Sequence, residues 1–281
     1  MSGHRIDGGQ ARAGARSAAP LLGDGEPAPW TLENAAGASE LLFVCEHAGA
    51  LIPESLGTLG LAPEHLRRHF VWDIGALDLS RALAERFDAP LAHQRYSRAV
   101  CDCNRAPDGP TLVLEDGEGV PIPGNLGLSR EARLARRHAI WQPFHDALAR
   151  LLDARLANGR PTVLVAVHSF TPTFLGTARP WHVGLLVDRD PIFSHALHAA
   201  LLERLDPEVV GFNEPYAMGA GVDYTLPAHA ESRALPCAGI EVRNDLLGDA
   251  AGVARRAATL AEGLEEALAA LARAAERDAP R

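Results

Sequence analysis

LLFVCEHAG, residues 41–49, starts as a strand and ends as chemistry. Five apolar residues run from Leu41 to Cys45 without a polar break, and Glu46 and His47 follow side by side. A strand with one wet face alternates apolar with polar residues. An unbroken apolar run is the pattern of a strand buried on both faces, as in a parallel sheet covered by helices. Thr162–Val167 repeats the pattern and runs into His168-Ser169. Val183–Val187, Ala238–Val242 and a run near Leu91–Tyr96, after Pro90, read as further strands.

Helical spacing fills the gaps. Ile74–Phe87 carries Leu77, Leu79 and Leu83 among its apolar positions. Ser129 is a candidate N-cap with Glu131 in the first turn, and the helix it opens runs to about Leu156, with Pro143 expected to kink it. Pro191–Leu205 and residues 249–277 read as two more helices, while residues 106–127, rich in Gly, Pro and acids, read as a long functional loop. Strands alternating with helices predict an α/β fold: a mostly parallel mixed sheet between two helical layers, in a three-layer sandwich. We expect one domain over residues 28–281 after a flexible Gly/Ala/Arg-rich lead-in, residues 1–27.

The chain has 281 residues, 47% of them hydrophobic, and a net charge of −9. No apolar run approaches the roughly 20 residues that span a bilayer, and the N-terminus lacks a signal-like apolar core. We therefore expect a cytoplasmic protein that keeps away from membranes. The acidic balance argues against a nucleic-acid surface. It leaves room for a small anionic substrate held by local arginines. Cys45, Cys101, Cys103 and Cys237 read as buried thiols. Cys101-Asp102-Cys103 could hold a metal, but no second cysteine pair accompanies it.

Ligands of open α/β sheets bind beyond the carboxyl ends of the strands, which is where the polar residues gather. Zinc favours His nitrogen and carboxylate oxygen, with a position left for water. Glu46, His47 and His168 are the candidate ligands for one zinc per chain. Both Glu46 and His47 can face it only if the chain leaves the strand there, because strand neighbours point to opposite faces. The small residues Ala48 and Gly49 allow such a turn. Asp73 competes as a carboxylate ligand or caps the helix behind it. Glu241, a charge inside an apolar strand, is the candidate general base, with a pKa raised by burial; the alternative is an ion pair with Arg243 or another arginine. Arg98 is the candidate for stabilising developing oxyanion charge, and Asn104 and Arg105 for holding a substrate carboxylate. Salt bridges to Asp102 and Asp108 are the plainer role for these arginines. Tyr216 sits before a Gly-rich stretch that reads as a flexible loop over the site, and is a candidate substrate contact. His138 and His145, seven residues apart, should share a helix face, and one of them could reach the site, as could His229. His4, His65, His69, His195 and His198 read as surface or helix positions. Ser169 lacks a G-x-S-x-G elbow.

In order, FVCEHAG…IP, DIGA, YSRAVCDCNR, VAVHSF, GLLVDRD, NEPYAMGAGVDYT and GIEVRND resemble the N-formylglutamate amidohydrolase family, over about residues 40–250. They are closest to its branch of predicted amidohydrolases. The resemblance implies a phosphorylase/hydrolase-like fold related to zinc-dependent exopeptidases. It implies metal ligands at Glu46, His47 and His168, a catalytic Glu241 and a carboxylate-binding Asn104-Arg105 pair. Histidine-degradation members carry a Ser-Pro-His-Ser-Gly type motif where this chain reads Cys45-Glu46-His47-Ala48-Gly49. The expected activity is hydrolysis of the N-formyl or N-acyl amide of an acidic amino acid, N-formylglutamate giving glutamate and formate, a step of amino-acid catabolism. The alternatives are a deacylase or carboxypeptidase-like enzyme on another N-acyl amino acid, and a non-catalytic ligand-binding relative.

Overall fold

The computed structural model describes residues 20–189, 192–218 and 223–278. The chain opens with strands β1 (Trp30–Glu33) and β2 (Leu41–Cys45), helix α1 (Ala76–Phe87) and β3 (Leu91–Gln94). A small hairpin of β4 (Asp116–Gly117) and β5 (Val120–Pro121) precedes α2 (Arg130–Arg136), a π-helical turn (Arg137–Trp141) and α3 (Gln142–Ala157). Then come β6 (Val163–Phe170), a hairpin of β7 (Thr173–Phe174) and β8 (Thr177–Ala178), β9 (Val183–Leu186) and α4 (Phe193–Leu202). Strands β10 (Val210–Phe212) and β11 (Cys237–Arg243) and the long helix α5 (Ala250–Asp278) complete the fold.

Seven strands form one mixed sheet in the order β1-β3-β2-β6-β11-β9-β10. Strands β3, β2, β6 and β11 run parallel, as do β9 and β10; β1 is antiparallel to β3, and β9 to β11. The unbroken apolar runs divide by period two between two cores. Leu41, Phe43 and Cys45 of β2 face α1, α4 and α5 with Val163, Val165 and Ile240. Leu42 and Val44 face α3 with Leu164, Phe144, Leu148 and Leu152. Each such side chain removed from water contributes about 1.5–3 kcal/mol. Among the described residues no helix is long and apolar enough to cross a membrane.

Differences from the sequence reading have local causes. Helix α1 starts at Ala76 rather than Ile74 because Gly75 before it has a φ of 79°. Ser129 caps α2 as expected, accepting from the Ala132 N–H at 3.2 Å. The helix it opens is interrupted by the π turn directly before Pro143, whose missing N–H and ring disturb the ladder there. That turn inserts a residue between His138 and His145 and undoes their shared face: His138 is exposed and His145 buried. The edge strands β1 and β10 are only four and three residues long and carry no periodic pattern. Pro191, the expected start of α4, lies outside the described residues, as do His4 and residues 1–19 of the lead-in. Residues 20–27, grouped with that lead-in on sequence, rest on the body. Leu21 and Leu22 pack on the α3-side core. The Glu26 carboxylate accepts from the Glu54 N–H, and the Pro27 carbonyl accepts from the Tyr96 hydroxyl, both at 2.9 Å.

Candidate active site

Strand register assembles the site. Val44 lies opposite Ala166, so two residues further Glu46 comes level with His168; across β6, Glu241 pairs directly with His168. Glu46, His168 and Glu241 therefore form a row at the carboxyl ends of three neighbouring parallel strands. Strand β2 ends at Cys45, and the turn that follows frees His47 from strict alternation. Gly49 serves that turn through close packing. A Cβ there would sit 2.0 Å from the Arg95 carbonyl oxygen.

Asp73 completes the centre. It does not cap α1, whose N-cap Gly75 receives no side-chain bond. The His47 carbonyl accepts from the Asp73 N–H at 2.9 Å and turns the carboxylate inward. There Oδ2 lies 3.0 Å from His168 Nδ1 and 3.4 Å from His47 Nδ1. Oδ1 accepts from Arg98 Nη1 at 3.2 Å. One ligand atom from each of His47, Asp73 and His168 lies within 4.8 Å of the others, and all three side chains are buried. Two imidazoles and a carboxylate are a donor set that suits zinc. Glu46 lies outside this convergent set, on the opposite nitrogen of His168: its Oε2 is 3.3 Å from Nε2.

The loop after β3 supplies the second wall. Asp102 Oδ1 holds His47 Nε2 at 2.7 Å and accepts the Asn104 N–H at 2.9 Å, while Oδ2 accepts from Arg98 Nη2 at 2.9 Å. Arg98 thus bridges Asp73 and Asp102. Asp108 pairs instead with Arg137 at 2.8 Å. The Asn104 amide oxygen accepts the N–H groups of Tyr224 and Thr225 at 3.0 and 2.9 Å, tying the loop to the segment before β11. A buried guanidinium braces the loop from behind. Arg136, 2% exposed, donates to the Val100 carbonyl and to Asn125 Oδ1, and Asn125 donates to the carbonyls of Ala99 and Leu114. No motif in the sequence marks that brace.

A cavity of about 250 Å³ opens on the cluster, lined by His47, Asp73, His168, Glu241, Arg98, Asn104, Arg105 and Tyr216. Phe70, Leu114, Phe174, Leu186 and Met218 add an apolar wall, and Asp116 and Glu118 of the β4–β5 hairpin an acidic rim. Tyr216 accepts from Arg179 Nη1 at 3.1 Å, and its loop presses on β9, where a Cβ at Gly184 would lie 1.8 Å from the Glu214 carbonyl oxygen. Residues 219–222 of the expected lid lie outside the described residues.

Burial and charge set the protonation states. Burial, with the neighbouring Asp73 charge adding to it and His168 opposing, pushes the Glu241 carboxyl up to about 7. Its Oε2 has no hydrogen-bond partner, and Arg243, its alternative partner on sequence, pairs with Asp245 at 2.8 Å. Burial disfavours the His168 imidazolium, but Glu46, Asp73 and Glu241 outweigh it and raise its pKa to about 10. His69, read on sequence as a surface or helix position, is buried in the cavity wall. It donates to the Ser169 carbonyl at 2.6 Å and faces Asp73 and Glu118. Glu46 Oε1 and Oε2, His168 Nε2, Asp223 Oδ1 and Glu241 Oε2 are buried polar atoms without hydrogen-bond partners. With Asp73 and Asp102 beside them, such an excess of unsatisfied carboxylate is what a bound dication would relieve.

His145 and His229 stand apart from the cavity, their ring planes parallel and their centroids 5.1 Å apart. The Cys103 carbonyl accepts from His145 Nε2 at 2.7 Å, so His145 Nδ1 must accept from His229 Nε2, 2.8 Å away. Burial first, then His229 beside His145 and the Arg233 guanidinium beside His229, lowers His145 to about 3 and His229 to about 4. Neither ring should titrate between pH 5 and 8 in an NMR titration; a midpoint near the ordinary 6.5 for either would refute this packing. The unfolded chain binds protons at these rings first. The stability they contribute is therefore present above about 6.5 and lost as pH falls below it.

All four cysteines are free and buried. No curated protein matches the chain. Among solved structures, a gene product of Agrobacterium tumefaciens is similar at 39% identity with a TM-score of 0.86, covering 90% of this chain and 99% of that one. An N-formylglutamate amidohydrolase from Ralstonia eutropha shares the fold at 20% identity and a TM-score of 0.65, over 88% of this chain and all of that one. The family model for N-formylglutamate amidohydrolase matches residues 39–248, the span that holds every residue of the cavity, and the chain belongs to that family.

Proposed function

We propose that the protein is a zinc-dependent amidohydrolase that cleaves the formyl or acyl amide of an N-acylated acidic amino acid, with N-formylglutamate giving glutamate and formate. The observation that carries this reading is the convergence of His47, Asp73 and His168 beside a buried Glu241 whose Oε2 has no hydrogen-bond partner. His47, Asp73 and His168 would hold the metal, which supplies Lewis-acid polarisation of the acyl oxygen and lowers the pKa of water. Glu241 takes the proton of the attacking water and returns it to the leaving amine nitrogen. Arg98 spends three of its five N–H groups on Asp73 and Asp102. The others are left for the charge that develops on the acyl oxygen. Arg105 holds the substrate carboxylate with Asn104, whose amide is oriented by the Tyr224 and Thr225 N–H groups. Tyr216, fixed by Arg179, closes the side of the cavity.

The apolar wall and the acidic rim of Asp116 and Glu118 favour a second reading, a deacylase for an N-acyl amino acid with a larger apolar acyl group. Zinc content and product release decide between them. The expected result is one zinc per chain and release of formate from N-formyl-L-glutamate that stops on chelation and returns with zinc. Metal with turnover only of longer N-acyl substrates would select the second reading. A protein that binds no zinc and releases no acid from any N-acyl amino acid would refute both.

A further inference from the structure

Glu46 is 1% exposed, and neither of its carboxylate oxygens has a hydrogen-bond partner. The group opposite, His168 Nε2, has none either. The two lie 3.3 Å apart, Oε2 to Nε2, close enough for an ion pair but without the alignment of a formed hydrogen bond. A buried carboxylate is costly unless it is paired, and His168 is the group within ion-pair distance. The register of β2 on β6 places it there, because Val44 opposite Ala166 brings Glu46 level with His168.

His47 shows the same arrangement completed. Its Nδ1 faces the convergent cluster, and its Nε2 meets Asp102 at 2.7 Å. A metal-ligating imidazole commonly gives its other N–H to a carboxylate, which fixes the tautomer and the ring plane and raises the basicity of the ligating nitrogen. Asp102 divides its oxygens between His47, Arg98 and the Asn104 N–H. Glu46 has no hydrogen bond, and its ion pair is with His168.

We infer that Glu46 is the positioning residue of His168, holding the Nε2–H so that Nδ1 is presented to the metal. This assigns Glu46 a place behind the ligand rather than among the ligands, and it rests on the reading that His47, Asp73 and His168 bind zinc. Glu46 acts through His168 and does not touch substrate.

The test is Glu46→Gln, which keeps the shape and an acceptor oxygen but removes the charge. Zinc affinity, measured by chelator competition on the full chain, should fall about 10–100-fold, while the Co²⁺-substituted variant keeps the absorption bands of the wild type because its ligands are unchanged. Glu46→Asp should recover part of the affinity. Unchanged affinity in Glu46→Gln, or shifted Co²⁺ bands that mark a lost ligand, would overturn the inference and leave the zinc site standing. Should Glu46→Gln not fold, ¹⁵N NMR of the zinc-loaded wild type decides. A protonated His168 Nε2 supports the inference, and an unprotonated or metal-bound Nε2 refutes it. A wild-type chain that binds no zinc would instead sink the proposed function beneath it.

Discussion

Glu241→Gln is expected to lower kcat by about 10²–10⁴-fold, the usual worth of a general acid–base group. KM should change little and zinc content not at all, because Glu241 is outside the His47–Asp73–His168 set. The side chain is buried at the end of β11 with Oε2 unpartnered, so the amide is accommodated without breaking a bond at that atom. The pH profile carries a second signature. Only the carboxylate accepts a proton, so in the wild type kcat/KM should rise with pH through the Glu241 pKa and then level off. Burial pushes that pKa up to about 7, and a dication nearby draws it down. The Gln variant should lack this acid limb. A variant that keeps the limb, or whose kcat stays within about twofold of the wild type, would remove Glu241 from the role of base.

His168→Ala is expected to abolish zinc binding and turnover together. It removes one of three convergent ligands, and the loss should exceed the about 100-fold reached by disturbing a ligand's outer partner. It also removes the ion-pair partner of Glu46, whose buried carboxylate oxygens have no hydrogen bond. Breaking a buried pair in this way typically destabilises by about 3–5 kcal/mol. Metal analysis of the folded fraction, with His168→Gln as a bulkier control, separates lost ligation from lost fold. A folded His168→Ala protein with full zinc content and wild-type kcat would show that the reacting centre lies elsewhere.

Residue type and spacing alone carried the inner strands of the sheet, not the edge strands β1 and β10. Leu41–Cys45 and residues 163–167 are apolar on both faces, and only a sheet covered on both sides buries them. The same runs ended in His47 and His168, so the carboxyl edge of the sheet was legible as the site, and Glu241 stood out as a charge in an apolar strand. The placement of four residues had to wait for the tertiary structure. Asp73 and His69 lie in a connection with no regular pattern, and their inward turn depends on the His47 and Ser169 carbonyls, far along the chain. Arg136 reads as one of several arginines on an amphipathic helix, until the loop it braces folds over it. Glu46 is adjacent to His47 in sequence, which suggested that both face one metal. In the fold the register of β2 against β6 brings the Glu46 carboxylate beside the far nitrogen of His168, outside the His47–Asp73–His168 cluster. Periodicity is a local property and the sequence determines it. Which atom of one side chain meets which atom of another is set by strand register and loop packing, and those exist only once distant segments have come together.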